Sequence, residues 1–321
     1  MKTSTFHGLL KRSLIWLLLP ALLVVKPVAQ ANIVFEYDYS FDGGFFSGAN
    51  SSRRAVFEAA GNSISSRLGD TFTAITPGGG NSWDIEFTNP GTGGFQSISN
   101  PTIAANTIRF YAGGHNLSGS ALGQGGPGGF SGSGNDAFFD NILSRGEPGI
   151  TDGFGFDLMT QTDFAPWGGS IEFDSSATWH FNPLTDPANG VNDFFSVALH
   201  EIAHVLGMGT AISWESLING FGEFTGPSSF TLNGGNNVPL HGDLGHWAED
   251  TMSMLPLGGL QEVAMDPDLT VGDKKFFTNM DYAGLDDIGW EIIPIPEPSS
   301  ALLALAGCGA VAFTRKRQRR G

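Results

Sequence analysis

The residues whose types and spacing indicate chemistry are His200, Glu201 and His204, which lie in one short stretch of the chain. On an α-helix, side chains four residues apart lie on the same face, so both imidazoles can reach one metal ion. Glu201 lies one step around the helix, where its carboxylate can take a proton from a metal-bound water. Zinc held by three protein ligands keeps a fourth position for water and lowers the pKa of that water to about 7. The stretch therefore predicts a hydrolytic zinc site.

The segment before these residues predicts a buried helix that carries them. Asn192 or Asp193 offers a capping side chain, and residues 194–199 are almost all apolar. Gly207 lies three residues after His204, where glycine can adopt a left-handed conformation at little cost and end the helix. We therefore expect both histidines on a core helix, with the chain turning back beneath the metal.

In its extended form the motif resembles the signature of the metzincin clan of zinc endopeptidases, His-Glu-x-x-His-x-x-Gly-x-x-His. Here the last position is Thr210, and a neutral hydroxyl is a poor zinc ligand beside imidazole. A third ligand must therefore come from elsewhere. His241 and His246 both follow downstream, and Gly245 would let the backbone approach the metal just before His246. The sequence favours His246, with His241 as the alternative.

The resemblance also implies roles for individual residues. Leishmanolysin-like metzincins insert a segment after the motif glycine and take their third histidine from a later loop. By this resemblance the metal ligands are His200, His204 and His246, and Glu201 is the general base.

Two later segments carry the resemblance further. Met265, within Val263-Ala264-Met265-Asp266-Pro267, resembles the methionine of the turn that lies beneath the zinc ligands in this clan. Residues 278–290 resemble the helix that closes the catalytic domain. Tyr282 in that helix is more readily explained as structural than as an oxyanion donor, so the oxyanion-stabilising group stays unassigned.

The implied fold is α+β and metzincin/zincin-like, with a twisted mixed sheet, an active-site helix and an irregular C-terminal subdomain. By the resemblance, an edge strand within 167–174, leading into 178–181, pairs with an extended peptide substrate. The glycine- and serine-rich segment 113–134 predicts a long mobile loop. Periodicity predicts strands at 34–39, 71–75, 83–87 and 107–112 and helices at 52–68 and 137–143.

Both ends of the chain resemble sorting signals. Residues 1–31 combine early basic residues, a short apolar run and an Ala-Gln-Ala site, as a secretory signal does. Residues 295–321, with Pro-Glu-Pro, a small apolar run and a basic cluster, resemble the PEP-CTERM signal of Gram-negative bacteria, which an exosortase cuts. The resemblance implies one exported domain, 32–294, at the cell surface, in the extracellular matrix or secreted. Its contact with the membrane would be transient.

The composition narrows the set of partners. Residues 32–294 contain 31 acidic and seven basic residues, a balance that repels nucleic acid and anionic membranes. The one cysteine, Cys308, lies in the C-terminal signal, so disulfides cannot hold the domain together. Segments such as Asp42-Gly43-Gly44 and Asp266-Pro267-Asp268 could bind structural calcium, although neither has the spacing of a calcium loop.

These observations predict an exported zinc-dependent endopeptidase that acts on protein or peptide substrates. Exosortase-type sorting machinery is the expected partner of the C-terminal signal. One alternative is a matrix or adhesion protein with a structural zinc, against which the intact Glu201 argues. A second alternative is a zinc hydrolase of a non-peptide amide.

Overall fold

The computed structural model describes residues 33–145 and 166–294. The two sorting signals predicted at 1–31 and 295–321 lie outside the described residues. Within those residues, no helix combines the length and the apolar character needed to span a bilayer.

The helices are α1 (Arg53–Ser65), α2 (Asp136–Leu143), α3 (Phe194–Val205), α4 (Ile212–Ser216), α5 (Pro227–Leu232) and α6 (Asn279–Asp287). The strands are β1 (Val34–Asp38), β2 (Ser82–Thr88), β3 (Phe95–Ser99), β4 (Thr107–His115), β5 (Gly123–Pro127), β6 (Gly129–Ser133), β7 (Gly168–Asp174), β8 (Trp179–His180), β9 (Asn192–Asp193), β10 (Glu223–Phe224), β11 (Val238–Pro239), β12 (Met252–Met254) and β13 (Leu260–Glu262).

The main sheet is mixed and has the strand order β1-β4-β7-β5. Strands β1, β4 and β7 are parallel, and β5 runs antiparallel to β7 at the edge. The assignment of the edge to 167–174 is therefore wrong, because β7 lies between β4 and β5 and is buried along its whole length. The following strand, β8, pairs with β9 in a separate two-stranded sheet.

The edge strand comes from the segment that was predicted to be a mobile loop. Both β5 and β6 lie within 113–134, so that prediction is also wrong. Strand β5 needs no apolar side chains, because its backbone pairs with β7 and its glycines approach α3 closely. A Cβ at Gly125 would lie 2.3 Å from the backbone oxygen of Glu201. Only glycine fits at that separation.

The core has two parts. Helices α1 and α3 bury their apolar faces with Ile171 and Phe173 of β7, and the face Val56-Ala60-Ile64 of α1 is buried as predicted. The other part lies around the sheet β3-β2-β6, where the Phe87 ring stacks on Tyr111 at 4.2 Å. Residues 71–75 do not form the predicted strand and contribute one isolated bridge, from Ile75 to Ile103.

Helix α3 begins and ends as its sequence predicts. The Asp193 side chain is its N-cap and accepts a hydrogen bond of 3.0 Å from the Ser196 backbone N–H. Gly207 follows the helix with a φ of 100°, the left-handed conformation that glycine tolerates. Beyond it, residues 211–294 form short helices and two-stranded pairings, so this part of the α+β fold is irregular.

Candidate metal centre

Three imidazole nitrogens converge at one point beside α3. The Nε2 atom of His200 lies 3.0 Å from that of His204 and 3.1 Å from that of His246, and the latter two are 3.1 Å apart. Two nitrogens that bind one tetrahedral zinc ion at about 2.0–2.1 Å are about 3.3 Å apart. The spacing therefore fits a shared small cation.

The opposite nitrogen of each ring fixes its tautomer. The Nδ1 atom of His200 donates to the Ala264 carbonyl at 2.9 Å, and that of His204 donates to the Met208 carbonyl at 2.7 Å. The Nδ1 atom of His246 donates to the Asp243 carboxylate at 2.9 Å. A carbonyl or carboxylate oxygen can only accept, so Nδ1 carries the proton and Nε2 presents a lone pair. Three lone pairs that face one another repel, and a bound cation removes that repulsion. The donor set therefore fits zinc.

Burial keeps two of the rings in the neutral form that binds a metal. It lowers the pKa of His204 to about 4, with a further lowering from the neighbouring His246. The pKa of His200 lies well below its ordinary value, first because of burial and then because of the other two histidines. Protons therefore compete weakly for these two Nε2 atoms at neutral pH.

Close backbone packing brings His246 to the helix. Gly209 has a φ of 71°, and a Cβ there would lie 2.1 Å from the Gly245 carbonyl oxygen. The Trp214 indole also donates to the Leu244 carbonyl at 2.9 Å, which holds the loop from the other side. The backbone of Gly245, just before His246, therefore lies against the backbone of Gly209. This close approach depends on Gly209 as well as on Gly245, because a side chain at position 209 would meet the Gly245 carbonyl.

Thr210 and His241, the other residues considered for the third ligand, do not belong to the group formed by His200, His204 and His246. The Thr210 hydroxyl donates to the His204 carbonyl at 2.6 Å. His241 is exposed, and its Nδ1 lies 3.0 Å from the Asp243 carboxylate.

Met265 lies in a buried turn, and a side chain that the sequence analysis missed holds that turn. The Asp281 carboxylate accepts hydrogen bonds from the backbone N–H groups of Ala264 at 3.0 Å and Met265 at 3.2 Å. It also accepts from the Trp247 indole and from the backbone and hydroxyl of Thr278. The spacing Thr278-x-x-Asp281 is a capping-box pattern, which is the signal that could have identified Asp281.

Glu201 lies beside the three histidines with 6% of its surface exposed. All four residues line one cleft of about 740 Å³, which we call the histidine cleft. The pKa of Glu201 is raised to about 8, because the effect of burial outweighs the opposing effect of a hydrogen bond from the Gly125 backbone. A carboxylate that titrates near neutral pH can both accept and return a proton.

Two other expected features have structural explanations. The Tyr282 hydroxyl donates to the Ser63 carbonyl at 3.0 Å, and the Arg67 guanidinium lies 3.7 Å above its ring, so Tyr282 is structural. The Asp266 carboxylate pairs with Lys275, which makes a second ion pair of 2.9 Å with Glu262. This cation neutralises the acidic group, and a calcium site there gains no support.

The Asp42 segment is explained in a similar way. The Asp42 carboxylate accepts hydrogen bonds from the backbone N–H groups of Gly44 at 2.8 Å and Phe46 at 3.0 Å. These bonds account for its position within the turn without a bound ion.

A family model described as Matrixin matches residues 146–236, which include His200, Glu201 and His204 but end before His246. Neither a curated protein nor a solved structure matches the chain. The match supports a metzincin-type zinc metallopeptidase, and the α+β architecture with its mixed sheet is compatible with that class.

Proposed function

We propose that this chain is an exported zinc-dependent endopeptidase. In this proposal His200, His204 and His246 bind the zinc ion, and Glu201 is the general base. The observation that carries the proposal is the convergence of three Nε2 lone pairs beside a buried carboxylate that is not one of the ligands. A zinc ion with only a structural role activates no water and therefore needs no proton acceptor beside it, so the arrangement favours hydrolysis.

Each protein group has a defined task in peptide hydrolysis. Bound zinc supplies a Lewis acid that lowers the pKa of a water and polarises the peptide carbonyl. Glu201 accepts the proton of the attacking water and passes it to the leaving amine nitrogen. Asp243 and the carbonyl groups of Ala264 and Met208 keep the three imidazoles oriented.

The free edge of β5 is the proposed place for the peptide substrate. An extended peptide can add to an exposed sheet edge through main-chain hydrogen bonds. Gly123 and Gly125 bring β5 against Glu201, so a peptide paired with β5 would run past the histidine cleft. This assignment replaces the one that the sequence suggested for 167–174.

The proposed export rests on the terminal segments. We propose that residues 1–31 direct secretion, that 32–294 are the peptidase domain, and that 295–321 are a PEP-CTERM signal read by exosortase-type machinery. The protein would then act at the cell surface, in the extracellular matrix or after release.

The test combines zinc quantification with casein digestion. Glu201→Gln should retain zinc and lose turnover by about 10²–10⁴-fold, the usual contribution of general acid–base catalysis. His246→Ala should lower the zinc content, and Thr210→Ala should not. Cleavage by Glu201→Gln at the wild-type rate would refute the base. A zinc-loaded wild type that cleaves no protein would favour the matrix or adhesion role instead.

A further inference from the structure

A second cavity of about 740 Å³ lies behind the edge strand. In the antiparallel pairing of β5 with β7, Gln124 lies opposite Glu172 and Gly126 lies opposite Ser170. Directly opposed residues face the same side of a sheet. These four residues line the cavity, whereas Cβ atoms at the alternate positions of β5 would meet Glu201. The cavity and the histidine cleft therefore flank the two faces of one strand.

Glu172 is the charged group within this cavity. Its side chain is 6% exposed, and the ion pair with His115, at 3.3 Å, is the only one it makes among the residues that the structure describes. Burial raises the pKa of Glu172 to about 7. A buried carboxylate beside an imidazole gains more from a full positive charge than from any neutral group.

The geometry restricts which side chain could supply that charge. A peptide paired with the free edge of β5 would lie two strand spacings from β7, about 9–10 Å away. Its alternate side chains would point to the cavity face. The direct path to Glu172 passes Gln124, which lies opposite it, and the next position on the same face is Gly126, where an added Cβ would meet no atom within 4 Å. Among the standard side chains, lysine and arginine carry a cation across such a distance.

We propose that this cavity, the Glu172 pocket, selects a lysine or arginine side chain of the peptide substrate. The selection rests on the proposed peptidase function, because the pocket is reached from the strand on which the substrate would lie. It makes Glu172 a specificity-determining residue of the chain. The histidine cleft, on the other face of β5, would receive the neighbouring side chains of the same peptide.

The experiment compares quenched fluorescent peptides that carry arginine or citrulline at one position, scanned along the peptide. Citrulline keeps the shape of arginine and lacks its charge. We expect wild type to favour arginine in kcat/KM by at least about tenfold at one position. Glu172→Gln should bring that ratio close to one. Glu215→Gln removes an equal charge from an exposed site outside both cavities and should keep the ratio.

A second variant keeps the proposal testable if Glu172→Gln does not fold. Gly126→Val narrows the path to Glu172 from the neighbouring position on the same face, where an added Cβ meets no atom within 4 Å, and it should also reduce the arginine preference. Cleavage with equal rates for arginine and citrulline at every position would overturn the Glu172 pocket and leave the peptidase proposal intact. Cleavage of no peptide would overturn the proposed function itself.

Discussion

Asp281→Asn tests whether one buried carboxylate holds the turn at Ala264 and the segment after His246, both of which position proposed metal ligands. The Asp281 carboxylate accepts from five donors: the backbone N–H groups of Ala264, Met265 and Thr278, the Thr278 hydroxyl and the Trp247 indole. Asparagine keeps the shape and replaces one acceptor oxygen with an NH₂ group. In either orientation of the amide, two buried N–H groups lose their acceptor.

Each buried donor left without an acceptor costs about 1–3 kcal/mol. We therefore expect Asp281→Asn to lower the free energy of unfolding by about 2–6 kcal/mol, compared with a total of about 5–15 kcal/mol for a typical protein. Urea unfolding followed by tryptophan fluorescence measures this change. Asp273→Asn, at an exposed position, removes the same charge and should change stability little.

The same substitution should weaken zinc binding. The turn that Asp281 holds supplies the carbonyl group that orients His200, and Trp247 directly follows His246. Loss of groups that orient metal ligands lowers metal affinity by about 10–100-fold. Competition with a chromogenic chelator measures this affinity. Wild-type stability together with wild-type zinc affinity in Asp281→Asn would refute the reasoning.

Three further predictions concern the edge strand and buried charges. Gly123→Ala should lower kcat/KM about 10²-fold or more at unchanged zinc content, because its Cβ would lie 2.7 Å from the carboxylate of Glu201, the proposed general base. Gly220→Ala, where an added Cβ meets nothing within 4 Å, is the matched control. Because burial raises the pKa of Glu172 to about 7, the folded protein binds a proton more tightly than the unfolded chain does. The stability contributed by Glu172 should therefore be lost as the pH rises from about 5 to 7. The lowered pKa values of His200 and His204 act in the opposite direction, so the test is a difference: between the two pH values, urea unfolding of Glu172→Gln should show a change that is more favourable to the folded state than that of wild type. Lys275→Met should cost about 3–5 kcal/mol, because it leaves the buried Asp266 carboxylate without its cation; an unchanged thermal midpoint would contradict this ion pair.

The sequence predicts the elements whose own side chains determine their structure. Helix α3 has a capping aspartate, an apolar face and a terminal glycine, and each acts within a few residues of the others. The candidate ligands could be chosen from chemistry, because few histidines follow the motif and a hydroxyl is a poor zinc ligand. Their convergence still depends on packing between Gly209 and Gly245 that the residue pattern does not specify.

Strand β5 and Asp281 were missed because tertiary contacts determine their roles. The sequence of β5, Gly-Gln-Gly-Gly-Pro, carries no alternation of apolar and polar side chains. Its conformation follows from hydrogen bonds to β7 and from the surface of α3. In the sequence, Asp281 can be recognised only as part of the capping box of its own helix. Its hydrogen bond from the Ala264 backbone joins residues 17 positions apart and exists only in the folded chain.

Two of the proposed metal ligands lie far apart along a domain that has no cysteine and therefore no disulfide. His204 and His246 are 42 residues apart, so an ion bound by both closes a large loop, as a covalent cross-link would. Closing such a loop restricts the unfolded chain most strongly when the loop is long. If the chain binds zinc as proposed, removing the ion should loosen residues 211–245 as a unit and make them sensitive to digestion. The proposed activity would let zinc-loaded copies of the same protein carry out that digestion.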